Sequence, residues 1–373
     1  MPHRLKIGVI GCGAIAQVMH LPYMTEHDDK FEILALADTH RPTLDAVADH
    51  YRVAACFTNW RDLLTHPEIE AVIICHNGSH HDSVIAALNA GKHIFVEKPL
   101  AWNVREAEAV AARAAASDRI VQMAYHKRYD PAFTVARDYV DAMRDLSYGR
   151  ITVLHPDNDL GLSPFRIRRG DGVISEGHHD PGSFEAAVAG QLSGFAGGSL
   201  APLVDEALGP RKDDPRLRLG YGIIVISLIH QIYMLDGFLG MPQRVLHTDI
   251  WRQGLSIHAL VEYPEEVRVS LDWHYLGHLK DYREEYLFVG AYDRVAMQLP
   301  SPYFKSFPSP VVVQGGEGEL AWEKRITVSY EEAFKNELIA FYENVVHLRE
   351  PATTVASAVE HIRLVQALID AAK

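Results

Sequence analysis

Cysteine is scarce in this chain, with three in 373 residues. That is too few for a disulfide framework, and Cys12, Cys56 and Cys75 sit in a glycine loop or in and beside apolar segments, which suits reduced structural thiols in a reducing compartment. An uncharged apolar run of membrane-spanning length is also lacking. The most apolar stretch, Tyr221–Met234, is short and contains His230, so it reads as a buried helix. The opening Met1-Pro2-His3-Arg4 leads straight into an apolar strand, so a signal peptide is not expected and a cytoplasmic location is. Positive charge is in deficit: the net charge of −13 repels nucleic acid. The best candidate basic patch, Arg166-Ile167-Arg168-Arg169, lacks interleaved aromatics and reads more readily as a solvated turn than as a substrate-facing or interface loop. Motifs of the Cys-x-x-Cys and His-Glu-x-x-His kind are missing as well. The pairs His80-His81 and His178-His179 direct neighbouring side chains apart, and no metal site is expected.

What is present is a globular composition, 48% hydrophobic and 23% charged, at a length that favours two domains. Leu5–Ile10 reads as a short buried strand feeding Gly11-Cys12-Gly13-Ala14-Ile15-Ala16. In a Gly-x-Gly-x-x-Ala loop the first glycine permits a tight turn, the second lets a pyrophosphate approach the backbone, and the alanine allows close helix–strand packing. A helix N-terminus then faces the phosphates. A second strand, Phe31–Ala37, ends at Asp38, where a carboxylate accepts hydrogen bonds from an adenosine ribose. This favours NAD over NADP, while Arg41 keeps NADP open, and a cap at a turn is the competing role for Asp38.

Further along, Ala71–Cys75 reads as a strand, Ser79–Asn89 as a helix, and Lys92–Val96 as the strand that delivers Glu97-Lys98-Pro99. A lysine at the carboxyl end of a buried parallel strand sits in the crevice where open α/β sheets bind ligands. Pro99 lacks an N–H and biases Lys98 away from helical dihedrals, so the strand is expected to stop there. Asn103–Ala116 is a helix with Asn103 as its N-cap, Ile120–Ala124 is read as the sixth strand, and another helix runs from Asp130 to about Leu146. After Gly149 the texture changes. Arg244–Asp249, Ser256–Tyr263, Val267–Tyr275, Glu284–Gly290 and Arg294–Leu299 read as successive antiparallel strands, and Tyr330–Arg349 and Thr354–Ala372 as closing amphipathic helices. The expected fold is α/β: a Rossmann doubly wound parallel sheet over 1–126, then an α+β domain over 127–373 with a large open, mostly antiparallel sheet. Residues 156–220, rich in Gly, Pro and charge, are too long for an ordinary loop and read as a flap, an oligomer arm or a subgroup-specific insertion.

The glycine loop, Asp38, Glu97-Lys98-Pro99-Leu100-Ala101, His126-Lys127-Arg128-Tyr129-Asp130-Pro131 and the closing Pro351-Ala352-Thr353-Thr354 together resemble the glucose-fructose oxidoreductase, inositol dehydrogenase and rhizopine-catabolism (GFO/IDH/MocA) family. The resemblance implies an NAD-dependent oxidoreductase acting on a secondary alcohol or carbonyl of a sugar, glycoside or inositol-like polyol. It also implies a homodimer or homotetramer formed through the C-terminal sheet. Carried onto this chain, it places Gly11, Gly13, Ala14, Ile15, Asp38, Cys75, His76, Asn77 and His81 along the dinucleotide. Glu97 falls at the nicotinamide ribose, and His126 lies near nicotinamide and substrate. Family members carry an Asp one helical turn before the histidine that matches His230; here Ile226 stands in its place.

The chemistry expected of such a protein needs a group to stabilise negative charge on the carbinol oxygen and a group to take its proton. Lys98 suits the first and His230 the second, with Ser227 and His126 as further substrate contacts. The competing roles are a surface lysine closing a strand and a satisfied core histidine. A dinucleotide sensor of the same fold without turnover is the alternative function, and the missing Asp gives it weight.

Overall fold

The computed structural model describes residues 3–157, 161–170, 173–174, 190 and 198–373. The chain divides into two compact units: Met1–His126 with Ser163–Gly177 and Phe334–Ile362, and Lys127–Leu162 with His178–Ala333 and Arg363–Lys373.

In the first unit six parallel strands lie in the order β3-β2-β1-β4-β5-β6. They are β1 Leu5–Ile10, β2 Phe31–Ala37, β3 Ala55–Phe57, β4 Ala71–Ile74, β5 His93–Glu97 and β6 Val121–Ala124. Three-residue β3, which the sequence pattern did not reveal, brings the count to six, and Val121–Ala124 is the sixth strand as expected. Ile7, Val9, Val72, Ile73, Ile94 and Phe95 are fully buried, which is why these strands read as apolar runs rather than alternations. Strand order reverses between β1 and β4, so the loops after β1, β2, β4 and β5 gather at the carboxyl edge, the position where doubly wound sheets receive ligands. The closing Thr353 pairs with β6, donating its hydroxyl to the Met123 carbonyl (2.6 Å) and accepting the Met123 N–H at its own carbonyl (3.0 Å). Helix Ala333–His347 lays Phe341 edge-on against Phe95, ring centroids 5.6 Å apart.

An eight-stranded sheet in the order β10-β11-β12-β7-β13-β14-β15-β16 fills the second unit. Its strands are β7 Tyr148–His155, β10 Arg244–Trp251, β11 Ser256–Glu262, β12 Arg268–Tyr275, β13 Arg283–Val289, β14 Asp293–Leu299, β15 Val311–Glu317 and β16 Leu320–Ile326. Five of these match the sequence reading. Central β7 was missed because it opens on Tyr148-Gly149-Arg150, and its pairing with β12 is parallel, an exception in an otherwise antiparallel sheet. Edge strand β16 was missed because its side chains are almost all exposed and charged or polar residues interrupt its apolar ones. The helix expected to run from Asp130 to about Leu146 is shorter, Pro131–Asp141.

Pro215–Leu239 is a continuous helical stretch, long and apolar enough by composition to cross a membrane, with 67% of that window buried inside the fold. It is α-helical over Pro215–Ile223 and Ile229–Leu239 and a π-turn over Ile224–Leu228. The basic patch is corrected here. Ile167–Arg168 forms strand β8, paired with β9 at Val173–Ile174, and Ile167 is buried, so only Arg166 and Arg169 behave as solvated residues. His178 and His179 lie outside the described residues.

Candidate active site

Gly11 leaves β1 with φ of +99°, and a Cβ there would lie 2.6 Å from the backbone nitrogen of His76 at the end of β4. Only glycine fits that position. Gly13 is the opposite case: a Cβ would meet nothing within 4 Å, so the backbone borders open space of the kind a pyrophosphate occupies. Ala14 and Ile15 follow, half-buried, as the chain turns into helix. The first full turn, Ala16–His20, is a π-turn, and Gln17 in it reaches back to donate to the Cys12 carbonyl at 2.8 Å.

At the end of β2, Asp38 accepts from the Cys12 N–H and from the His40 N–H, each at 2.8 Å. Its carboxylate therefore stitches the glycine loop to the start of the next helix, and its remaining lone pairs can still accept ribose hydroxyls. The turn-cap role and the ribose role are thus compatible. Arg41 turns along its own helix to Asp45, Nε to carboxylate oxygen 2.8 Å.

After β4, Cys75 directs its thiol to the Gly11 carbonyl at 3.1 Å, and burial raises its pKa. Burial, then Asp38, pushes Cys12 up to about 12. Both thiols stay protonated, in keeping with structural roles. His76 bonds the Asn77 carbonyl and Ser83 Oγ, each at 2.9 Å, and burial lowers its pKa. Asn77 is exposed. His81 opens the following helix and pairs with Asp82 at 2.8 Å. Its neighbour His80, unassigned in the sequence reading, is buried between the Pro99 carbonyl (2.6 Å) and the His76 carbonyl (2.9 Å), and burial pulls it down to about 4. One imidazole thus ties the Glu-Lys-Pro turn to the end of β4.

β5 stops at Glu97, and half-buried Lys98 follows, the Lys98–Pro99 peptide being cis. Glu97 is buried and holds His20 Nε2 at 2.8 Å through one oxygen, while its other accepts the Lys98 N–H at 3.2 Å. Burial pushes Glu97 up, but the His20 hydrogen bond and charge outweigh it and hold the carboxyl below its ordinary value. His20, which sequence reasoning missed, is fully buried, edge-on to Phe95 and Phe334, and its Nδ1 finds no partner among the described residues. Glu337 is equally buried, both its oxygens without a partner among the described residues, and burial together with the Glu97 charge drives its pKa well up. His126, also buried, stacks flat on Phe334 with centroids 4.0 Å apart.

In the second unit, Ile226, Ser227 and His230 are half-buried on a helix whose other residues from Tyr221 to Leu235 are buried. Spacings of three and four put them on one face. The π-turn falls on this face, a local distortion common at functional sites. His230 Nδ1 meets the Tyr233 hydroxyl at 2.8 Å. Ser227 Oγ accepts from Trp273 Nε1 at 2.9 Å. A buried cluster also escaped the sequence reading. Lys127 donates to both oxygens of Glu284 (2.8 and 2.6 Å), and Gln231 (2.9 Å), Tyr286 (2.5 Å) and Tyr282 complete its donors. Burial lowers Lys127; Glu284, which burial alone would raise, is held low by Lys127. The carboxylate's lone pairs are filled. No signal short of the three-dimensional pairing linked residues 127 and 284.

A glycine loop, Asp38 at the end of β2 and a Lys-Pro turn lie on one carboxyl edge of a Rossmann-type sheet. Residues 5–125 match the model of the oxidoreductase family with an NAD-binding Rossmann fold, GFO/IDH/MocA. Among curated proteins it is similar to inositol 2-dehydrogenase of Paracoccus denitrificans, 37% identical over 139 residues, which is 36% of this chain and 41% of that protein. The Salmonella typhimurium inositol 2-dehydrogenase is 32% identical over 141 residues, 37% of this chain and 42% of the other. The matches thus span about two fifths of these relatives' length. Among solved structures, KijD10, a 3-ketoreductase from Actinomadura kijaniata in complex with NADP, aligns at TM-score 0.71 and 17% identity over 100% of this chain and 98% of its own. A putative NADPH-dependent oxidoreductase from Desulfitobacterium hafniense aligns at TM-score 0.73 and 14% identity, covering 99% and 96%. These two likenesses bear on the fold of the whole chain.

Proposed function

We propose that the protein is an NAD(P)-dependent dehydrogenase or reductase of a sugar, glycoside or inositol-like polyol. The observation that carries this reading is the open backbone at Gly13 together with Asp38 and Lys98, which follow strand ends on one carboxyl edge of the sheet. Bound there, the nicotinamide cofactor would supply hydride acceptance and donation at its C4. Gly11, Gly13, Ala14 and Ile15 would hold its pyrophosphate, Asp38 its adenosine ribose, and Cys75, His76, Asn77, His81, Glu97 and His126 would line its path. The engagement of Arg41 with Asp45 supports NAD, because a guanidinium already paired with a carboxylate is a poorer partner for a 2′-phosphate.

Lys98 stabilises negative charge on the carbinol oxygen, which an ammonium does strongly where water is excluded. Taking the proton falls to His230, the side-chain type best matched to transfer near neutral pH, with Tyr233 fixing its ring. Ser227 and His126 are assigned to substrate. Ile226 leaves the proton route without the family carboxylate. A homo-oligomer through the second sheet is part of the same proposal, supported by exposed Tyr292, Leu320 and Trp322. Light scattering on the purified protein checks it, a monomer counting against it.

The test is absorbance at the NADH band with a panel of inositols, sugars and glycosides, at saturating NAD and then NADP. Turnover on a ring hydroxyl supports the enzyme. Dinucleotide binding with silence across the panel, and no effect of His230→Ala on any readout, supports the sensor instead.

A further inference from the structure

The basic patch at Arg166–Arg169 has no part in the function proposed above, yet the first unit fastens it to the glycine loop. Gln17 donates through Nε2 to two carbonyls, Cys12 at 2.8 Å and Arg168 at 3.0 Å, and through Oε1 accepts the Arg168 N–H at 2.8 Å. A side-chain amide thereby pairs with a backbone as a neighbouring strand would, while still holding the second residue of Gly-x-Gly. Two residues on, Gly170 lies with φ of +88° so close to Pro42 that a Cβ would stand 2.1 Å from the proline Cβ and 2.4 Å from its carbonyl carbon. Pro42 is in the first turn of the helix whose N-cap, His40, gives its N–H to Asp38. Buried Ile167 anchors the segment from within, and the Arg168 guanidinium lies 3.1 Å from His50 Nδ1 at the far end of that helix.

The segment from Ser163 to Gly170 is therefore attached at both features that frame the adenosine half of a dinucleotide: the phosphate loop through Gln17, and the ribose loop through Pro42. It also carries three guanidinium groups in a chain of net charge −13, beside a loop whose ligand would be a pyrophosphate. We propose that Ser163–Gly170 forms the outer wall of the adenosine subsite and sets how long the dinucleotide stays bound. This rests on the reading of the first unit as a dinucleotide site. Where the dinucleotide leaves past this wall, the Gln17 and Gly170 contacts must loosen first, so they govern the off-rate more than the on-rate.

Two measurements on the full chain test the proposal, with NADH and NADPH as probes. In stopped-flow displacement, Gln17→Ala removes the amide clamp, and Gly170→Ala pushes the wall off Pro42 without touching the glycine loop. Each variant is expected to release NADH about tenfold faster at a nearly unchanged on-rate. A folded variant that releases NADH at the wild-type rate overturns the proposal. Hydrogen exchange on the wild type needs no variant: residues 163–170 are expected to gain protection with NADH alongside residues 11–17. Protection of 11–17 alone overturns the wall while leaving the dinucleotide site intact. Protection of neither, with no binding of either probe, refutes the dinucleotide reading itself and the wall with it.

Discussion

Glu97 in the first unit and Glu284 in the second are both buried carboxylates held below their ordinary pKa, yet they are held differently. Glu284 has a lysine, Lys127, on both of its oxygens and three neutral donors. Glu97 has one side-chain partner, His20, and its own chain's Lys98 N–H, and its charge acts on a second buried carboxyl, Glu337. The first arrangement is closed and structural. The second leans on a single histidine and adjoins the turn that presents Lys98, the edge proposed above for chemistry.

Breaking the closed pair has the largest expected effect. Lys127→Met leaves Glu284 without its cation in the interior, which costs about 3–5 kcal/mol. Urea denaturation reads it directly, and adding Glu284→Gln to Lys127→Met is expected to restore part of the loss. A single variant within experimental error of wild type would remove the contrast. His20→Leu is the matching test in the first unit. It strips Glu97 of its outer partner and is expected to destabilise by about 1–3 kcal/mol, because the Lys98 N–H and the rising pKa of the carboxyl absorb part of the cost. The same variant is expected to lower turnover by disturbing the Glu97–Lys98 turn, whereas Lys127→Met acts through stability.

Glu337 sharpens the comparison through pH. Its folded pKa is raised, so the native state keeps a proton that the unfolded chain releases once pH exceeds the ordinary carboxyl value. Stability therefore falls as pH rises above about 4.5, by at most about 1.4 kcal/mol per unit from this group, until the folded pKa is passed. Glu97 runs the other way: its folded pKa is lowered, and the stability it contributes is present above the ordinary carboxyl value and fades as pH drops through the folded one. Glu337→Gln is expected to stabilise the protein at pH 8 and to make little difference at pH 4, measured as thermal midpoints across that range. A gain independent of pH would show that Glu337 is already ionised in the fold. The smallest effect belongs to Arg41→Ala, which leaves NAD affinity nearly unchanged if Asp45 already occupies that guanidinium.

Local sequence carried the first unit well because its signals are local. A buried parallel strand is an unbroken apolar run, and the residues that matter follow directly on the strand ends, as Gly11, Asp38, Cys75 and Lys98 do. The second unit was less legible: β7 and β16 have half-polar patterns, and nothing in a strand that starts at Tyr148 tells that it will pair in parallel with β12. The site's supporting residues were hidden for the same reason. His20 reads as a polar residue in a helix until Glu97 is placed against it, and Lys127 reads as part of a Lys-Arg-Tyr motif until Glu284 arrives from 157 positions away. Gln17 shows no function in the sequence at all; only contact with Arg168 gives it one.

The central claim is that Lys98 serves the chemical step at the edge of a dinucleotide site, and a split between binding and turnover tests it most directly. Once the substrate panel has supplied a substrate, Lys98→Met is to be compared with the wild type for NADH affinity by fluorescence and for kcat by absorbance. The account predicts near-wild-type affinity with kcat reduced on the order of 10²–10³-fold, the cost of one lost charge-stabilising group. Undiminished kcat in a variant that still binds NADH would contradict it.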